Sequence, residues 1–184
     1  MLSPRFDNWF AEQIAAPGSS TPDGPAVTAL VMQHRRNGAI VNVDVIGVGG
    51  SPYDALRDIL GTRAVRAMNG AEASSKRDRS GQLGFVNRRA EWWWGMREAL
   101  DPAAGEDLAL PPDAGLLADL CAPRWKLSAR GVQVESKEDI IRRLGRSPDR
   151  GDSAVYALAG GSNRSVAYGR NVWPAGKPVL LRRW

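Results

Sequence analysis

Three aspartates, Asp44, Asp149 and Asp152, have the residue type and surroundings that chemistry requires. Asp44 interrupts an apolar run, VNVDVI, which is typical of a buried strand. A carboxylate in such a run is costly unless it is paired, hydrogen-bonded or bound to a cation. Two interpretations of Asp44 stay open: it ligates a metal ion, or it accepts backbone N–H groups of the GVGGS loop that follows.

The other two aspartates lie in the segment SPDRGDSAVYALAG. Pro148 marks the first turn of a helix, and a spacing of three places Asp149 and Asp152 on one face of it. One interpretation is that both carboxylates stabilise the positive N-terminal end of the helix dipole. The other is that they form a metal site against the core wall built by the apolar AVYALA run.

The composition leaves carboxylates as the main source of chemistry. The 184 residues are 43% hydrophobic and 24% charged, as in one soluble globular domain. The single Cys121 excludes a disulfide scaffold and a Cys-based zinc site, and the single His34 argues against a His-rich metal centre or a Ser-His-Asp triad. No GxxxxGK[ST] phosphate loop occurs, and no apolar run reaches the roughly 18 residues of a membrane span.

Positive charge is concentrated near the C-terminus. Residues 1–123 hold 12 Lys/Arg and 15 Asp/Glu, whereas residues 124–184 hold 13 Lys/Arg and 5 Asp/Glu. A basic third on a nearly neutral body is typical of a protein with a polyanionic partner such as nucleic acid. A solvated surface with an ordinary excess of Arg is the alternative.

Hydrophobic spacing and turn residues predict the elements that position these side chains. A hairpin turns at Asp7-Asn8, Asp23 caps a helix, and a strand spans 39–46. A helix capped by Ser51 and a strand in AVRAMNG follow, so this strand–helix–strand unit predicts a parallel crossover in an α/β fold. Further along we expect a surface loop at 70–84, helices at 85–100, 113–121, 136–144 and 148–160, and a hairpin turning at 129–131. Ser136 is expected to cap the helix at 136–144, since Ser136 and Asp139 have the spacing of a capping box.

The helix at 85–100 carries three consecutive tryptophans, Trp92, Trp93 and Trp94. Because consecutive residues point in different directions around a helix, we expect that at least one of them cannot face the core. Packing in the core or an interface is the favoured role, and stacking on nucleic-acid bases is the alternative.

Three segments together resemble the C-terminal nuclease domain of the large subunit of tailed-phage terminases, the DNA-packaging motors. They are VDVIGVGGSPYD at 43–54, GFVNRRAEWWWGMREAL at 84–100, and the stretch at 108–159. The last is the most specific, since a hairpin, VESKEDI and RLGRSPDRGDS follow one another in that order. The likeness covers residues 24–160.

The resemblance implies an RNase H-like mixed β-sheet flanked by helices, with acidic residues around two Mg²⁺ or Mn²⁺ ions. Asp44 matches the family's Asp at the end of a central strand, Asp152 matches the Asp on the final helix, and Asp149 matches the neighbouring ligand position. It implies an endonuclease that cuts concatemeric double-stranded DNA during genome packaging. We expect a nuclease domain at 1–160 and a C-terminal extension at 161–184 with a hairpin.

The sequence departs from the family pattern at one point. The family has a metal-binding Asp on a strand that precedes the equivalent of MLSPRF, and this chain starts at Met1. Asp7 and Asp23 read as turn and cap residues instead. We therefore expect the first strand to be missing, and two alternatives stay open: a catalytically inactive DNA-binding remnant of the same fold, and a junction resolvase, which shares the fold and the two-Asp final helix.

The resemblance also implies partners and a location. These are double-stranded DNA, the terminase ATPase domain, the small terminase subunit and the portal, in the cytoplasm of the bacterial host. The expected contacts with flanking phosphates come from six basic residues of the C-terminal third. They are Arg130, Lys137, Arg142, Arg143, Arg146 and Arg150.

Overall fold

The structure, a computed structural model, describes residues 1–104 and 106–161. The extension at 161–184 therefore lies outside the described residues beyond Gly161. The helices are α1 (Gly24–His34), α2 (Gly50–Leu60), α3 (Arg88–Ala99), α4 (Ala114–Leu120), α5 (Lys137–Leu144) and α6 (Asp149–Ala159). The strands are β1 (Arg5–Phe6), β2 (Trp9–Phe10), β3 (Val41–Asp44), β4 (Val65–Met68), β5 (Trp125–Ser128) and β6 (Gly131–Val134), which form three two-stranded sheets.

The predicted strand–helix–strand unit is present. β3 and β4 pair in parallel, with Val41 opposite Val65 and Asp44 opposite Met68. The predicted start of α2 is wrong, because the helix begins at Gly50 directly after a 3₁₀ turn at Gly47–Gly49, and Ser51 lies inside it. The loop thus turns into the helix without a side-chain cap, immediately after Asp44.

Two predicted helix caps are confirmed. Asp23 accepts a hydrogen bond from the Ala26 N–H at 2.9 Å, with Pro25 in the first turn of α1. The Ser136 hydroxyl accepts from the Asp139 N–H at 3.1 Å at the start of α5. Each cap satisfies an N–H group that the helix itself leaves unpaired.

The N-terminal hairpin is also confirmed, and it lies against α6. Its turn needs a positive φ, and Asp7 adopts +50°. Arg5 Nη1 donates to the Leu158 carbonyl at 3.1 Å, near the end of α6. Gln13 Nε2 donates to the Arg150 carbonyl at 2.8 Å, near its start. The N-terminal segment therefore holds the helix that carries Asp149 and Asp152 at both ends.

All three tryptophans of α3 are buried, so the expectation that one of them must leave the core is wrong. The reason is that α3 is covered on more than one side. Trp92 and Trp93 pack in the main core with α4 and α6, whereas Trp94 packs in a second cluster with Phe85 and Val132.

The β5–β6 hairpin covers the side of α3 that carries Trp94. Val86 donates its N–H to the Val132 carbonyl at 3.0 Å, and Val132 donates its own to the Gly84 carbonyl at 2.8 Å. The close approach requires glycine at 131, where φ is +111° and a Cβ would lie 2.2 Å from the Gly84 oxygen. β6 is thus flanked on both sides, and β5 is the outer strand.

No helix among the described residues has both the length and the apolar character that a membrane crossing requires.

Candidate active site

Asp44 lies at the carboxyl end of β3, where α/β folds commonly bind ligands. Its Oδ1 accepts the Ile46 N–H at 3.0 Å, so this oxygen binds the backbone, but at the residue before the GVGGS loop and not within the loop itself. Gly49 is required beside it, since a Cβ there would lie 1.6 Å from the Asp44 carbonyl oxygen. Burial raises the pKa of Asp44, and the negative charge of Asp152 adds to this, against opposing effects of the Ile46 amide and Lys137.

Asp152 is the most deeply buried of the three predicted acids, with 4% of its surface exposed. Its Oδ1 accepts a hydrogen bond from Arg89 Nη1 at 2.8 Å. Its Oδ2 is buried without a hydrogen-bond partner and lies 3.4 Å from Lys137 Nζ. A buried carboxylate oxygen in this state is well suited to a cation.

Asp149 is held by neighbours at the surface of the candidate site, the corner of the fold formed by the end of β3 and the starts of α5 and α6. Lys137 Nζ donates to its Oδ1 at 2.9 Å, and the Ser147 hydroxyl donates to the same oxygen at 2.6 Å. Partial burial opposes ionisation, but these bonds hold the pKa of Asp149 below its usual value. Burial likewise opposes the charge of Lys137, but the two carboxylates raise the pKa of its ammonium group.

Two further side chains of the site, Arg89 and Tyr156, were not among the residues predicted from sequence. Arg89 reaches Asp152 from α3, and its guanidinium lies over the Trp93 ring at 5.4 Å. Tyr156 follows Asp152 by one helical turn, and interaction with its hydroxyl lowers the pKa of Asp44. Burial raises the pKa of Tyr156 itself, and the charges of Asp44 and Asp152 add to this. The phenol therefore stays protonated and can act as a donor between the two acids.

The side chain of Asn42 brings β3 against α6. Its Nδ2 donates to the Tyr156 carbonyl at 3.2 Å, so the strand that carries Asp44 is fixed beside the helix that carries Asp152.

A second buried acid, Asp119 of α4, supports the start of α6. Its Oδ2 accepts the N–H groups of Arg150 at 3.0 Å and Gly151 at 3.3 Å, and its Oδ1 pairs with Arg146. Gly151 has no room for a side chain, because a Cβ would lie 2.9 Å from the Trp93 ring. Asp119 is thus an N-terminal cap from a different helix and not a site residue.

The structure pairs five of the six predicted DNA-contacting residues with carboxylates of the same chain. Arg130, at the tip of the β5–β6 hairpin, forms no ion pair with any described residue. The five pairs are Lys137 with Asp149 and Asp152, Arg142 with Asp139, Arg143 with Glu135, Arg146 with Asp119, and Arg150 with Asp113.

A divalent cation fits this corner because Oδ2 of Asp152 is buried and accepts no hydrogen bond. Burial and the charge of Asp152 oppose the ionisation of Asp44, and a cation beside the two carboxylates would offset both effects. Within residues 1–104 and 106–161, however, no three His, Cys, Asp or Glu side chains are grouped closely enough to ligate one metal ion. The described residues therefore fit a two-carboxylate metal site.

Solved structures of a phage protein share this fold. The nuclease domain of the large terminase subunit gp2 of bacterial virus Sf6 aligns with a TM-score of 0.56 and 18% identity, over 85% of this chain and 80% of that domain. A lysine-to-alanine mutant of that domain with manganese aligns at 0.58 and 19% identity, over 85% and 81%. The same mutant with manganese and beta-thujaplicinol aligns at 0.57 and 19% identity.

Comparisons of sequence alone give no match, either to a protein-family model or to a curated protein. The likeness to the Sf6 domain at these identities is one of fold. This chain therefore has the RNase H-like α/β fold of a phage terminase nuclease domain.

Proposed function

We propose that this chain is the metal-dependent DNA endonuclease domain of a phage or prophage terminase large subunit, which cuts concatemeric double-stranded DNA during genome packaging. The observation that carries the proposal is that the Asn42–Tyr156 hydrogen bond fixes β3, which ends in Asp44, beside α6, which carries Asp152, in a fold shared with a terminase nuclease domain. Asp152 keeps one buried oxygen free of hydrogen bonds at this position.

Asp44 and Asp152 would hold a divalent ion, Mg²⁺ or Mn²⁺, and Asp149 is the ligand we predict for a second. Divalent ions in such a site activate a water molecule for attack on a phosphodiester and stabilise the leaving oxygen. Lys137 Nζ lies 2.9 Å from Oδ1 of Asp149 and 3.4 Å from Oδ2 of Asp152, so its ammonium group competes with a cation for both acids.

The other side chains of the corner orient these acids. Arg89 binds Oδ1 of Asp152 and so leaves Oδ2 as the oxygen that faces a ligand. Tyr156 interacts with Asp44 and keeps its proton because burial and two carboxylates raise its pKa. No His base is required, which agrees with a chain that has a single histidine.

Plasmid nicking in Mn²⁺ or Mg²⁺ tests the proposal. We expect the wild type to nick supercoiled DNA and the variants Asp152→Asn and Asp44→Asn to be slower by about 100-fold or more, as for removal of a metal ligand. The matched control is Asp139→Asn, an exposed acid of α5, which we expect within threefold of the wild type. Equal nicking by the wild type and Asp152→Asn in every divalent metal would contradict a nuclease role.

A second candidate function is a DNA-binding remnant of this fold that does not cleave. The observation that favours it is that the described residues group no three acids around one metal position. Titration calorimetry with Mn²⁺ separates the two candidates, because binding of two ions per chain contradicts the remnant. By resemblance, the packaging ATPase domain, the small terminase subunit and the portal are the proposed partners in the host cytoplasm.

A further inference from the structure

The β5–β6 hairpin carries exposed cations that no carboxylate of the described chain neutralises. Arg124, Lys126 and Arg130 are exposed and absent from the ion pairs of the described residues. The one acid of the hairpin segment 124–135, Glu135, is bound to Arg143 at 2.6 Å. Residues 162–184 contain no Asp or Glu side chain. These positive charges therefore remain available to a partner.

An exposed aromatic side chain lies among these cations. Trp125 is 54% exposed, yet its ring is held edge-to-face against Trp94 at 4.9 Å. On the far side of this contact, the guanidinium of Arg97 lies over the Trp94 ring at 4.6 Å. Trp125 is thus fixed in place while much of its surface stays in water, which lowers the entropic cost of binding through it.

Leu127 extends the same exposed apolar surface. Trp125 and Leu127 face Val134 and Val132 across the hairpin, so all four lie on one side of it. Val132 is fully buried, whereas Leu127 is 61% exposed because it lies on the outer strand. Arg124 and Lys126 alternate with these apolar residues and so lie on the opposite side.

An outer strand of this kind offers two classes of partner: a protein strand that pairs with its free edge, or a nucleic-acid strand. The charges decide between them. Three cations outside the ion pairs of the described residues match a phosphate backbone, and Lys on an outer strand disfavours pairing with another strand. Because β5 is the outer strand, a DNA strand along its free edge can reach the cations on one side of the hairpin and the exposed ring of Trp125 on the other.

The hairpin also leads directly to the candidate active site. β6 ends at Val134, and the next residues, Glu135 and Lys137, contact Arg89 and the acids of α6. A strand of DNA bound along the hairpin therefore continues towards Asp152.

We propose that the β5–β6 hairpin is a DNA-docking surface, on which Arg124, Lys126 and Arg130 bind phosphates and Trp125 packs against a base or a deoxyribose. This proposal relies on the proposed function only in its choice of DNA as the polyanion. It moves the expected DNA contacts from α5 and the start of α6, where the cations are paired, to the hairpin.

Fluorescence anisotropy of labelled DNA in EDTA tests the surface without any cleavage, so failure of the nuclease proposal and failure of this one are distinguishable. The double variant Lys126→Ala/Arg130→Ala is expected to bind duplex DNA at least tenfold more weakly at about 100 mM salt and to reduce the salt slope by about 2. The matched control is Arg57→Ala, a surface cation of α2 paired with Asp54, for which we expect a change of less than threefold.

A single strand and a duplex of the same sequence distinguish the two contacts of Trp125. If it stacks on a base, Trp125→Ala weakens binding of the single strand at least fivefold, and Trp125→Phe restores most of it; if it packs on deoxyribose, both DNA forms weaken together. Circular dichroism confirms that each variant is folded. Equal affinity of Lys126→Ala/Arg130→Ala and Arg57→Ala, or no measurable binding by the wild type, would overturn the proposal.

Discussion

Arg89 is a single side chain that determines how Asp152 is presented. It binds Oδ1 at 2.8 Å, its Nε lies 3.4 Å from the Glu135 carbonyl, and its guanidinium rests on Trp93. One guanidinium thus joins α3, α6 and the segment after β6. Such neighbours of a metal ligand fix its orientation and its charge.

Replacing Arg89 by Met is therefore expected to slow nicking by about 10–100-fold, the range typical of such supporting residues. The control is Arg97→Met, since Arg97 lies on the same helix and stacks on a Trp in the same way but binds no carboxylate of the described residues. Initial nicking rates and calorimetric Mn²⁺ titrations measure the effect. Equal rates for Arg89→Met and Arg97→Met would rule out the orienting role.

Glu135 is a second residue whose charge is strongly stabilised. The hydrogen-bonded ion pair with Arg143 lowers its pKa to about 2. A carboxyl whose folded pKa lies below its unfolded value contributes stability above the unfolded pKa, and this is lost as pH falls through the folded pKa. We expect Glu135→Gln to unfold at a lower temperature than the wild type at pH 7, and the gap to close between about pH 4 and pH 2. Scanning calorimetry across this range measures it, and a gap that does not depend on pH would contradict the ion-pair explanation.

At the scale of elements, the start of α6 depends on Asp119 of α4. This buried carboxylate accepts two N–H groups of α6 and pairs with Arg146, so its loss leaves several buried polar groups without partners. We expect Asp119→Ala to lower the free energy of unfolding by about 2–4 kcal/mol. Asp58→Ala, at an exposed acid of α2, is the control and should cost less than about 0.5 kcal/mol. Urea unfolding curves measure both, and equal losses would show that the cap does not stabilise α6.

The elements that sequence predicts correctly are those formed by neighbours in the chain. The Asp23 and Ser136 caps act within three residues, and the Asp7-Asn8 turn joins adjacent strands. The predicted start of α2 is wrong because a 3₁₀ turn of three residues leads into the helix before Ser51, and no side chain in the sequence marks that turn.

The parts of the site that could not be predicted depend on distant partners. Arg89 and Asp152 are separated by 63 residues, and Asp119 and Gly151 by 32. Sequence alone does not distinguish Arg89 from Arg88, which lies beside it and pairs with Glu72 on the surface. The burial of all three tryptophans has the same origin, since the hairpin that covers Trp94 follows it by some thirty residues.

At the scale of the whole molecule, the candidate site lies where four elements converge. β3 supplies Asp44, α6 supplies Asp149 and Asp152, α3 supplies Arg89 and α5 supplies Lys137. The cations of the C-terminal third have two different uses. Those of α5 and α6 neutralise acids within the fold, whereas those of the hairpin remain exposed. The net charge of +5 therefore does not show where unpaired positive charge lies, because ion pairs cancel in the total wherever they stand in the fold.

At the scale of the whole molecule, the unfolding temperature should depend on whether Asp44 is ionised and on whether a metal ion is bound. Burial and the charge of Asp152 raise the pKa of Asp44, so its ionised form costs free energy in the folded protein that the unfolded chain does not incur. The wild type therefore loses stability as pH rises through the unfolded pKa, and Asp44→Asn, which keeps the acceptor for Ile46, does not. In EDTA at pH 7 we expect Asp44→Asn to unfold at the same temperature as the wild type or higher.

Mn²⁺ should reverse this order, because a ligand that binds only the folded state stabilises it by about 2.7 kcal/mol at one hundred times its Kd. The wild type gains this free energy, whereas Asp44→Asn has lost one of the two carboxylates that would hold the ion. Scanning calorimetry with and without Mn²⁺ measures both effects, with Asp58→Asn as a control that should follow the wild type. If Mn²⁺ raises the unfolding temperature of Asp44→Asn as much as that of the wild type, the ion binds elsewhere and Asp44 is not its ligand.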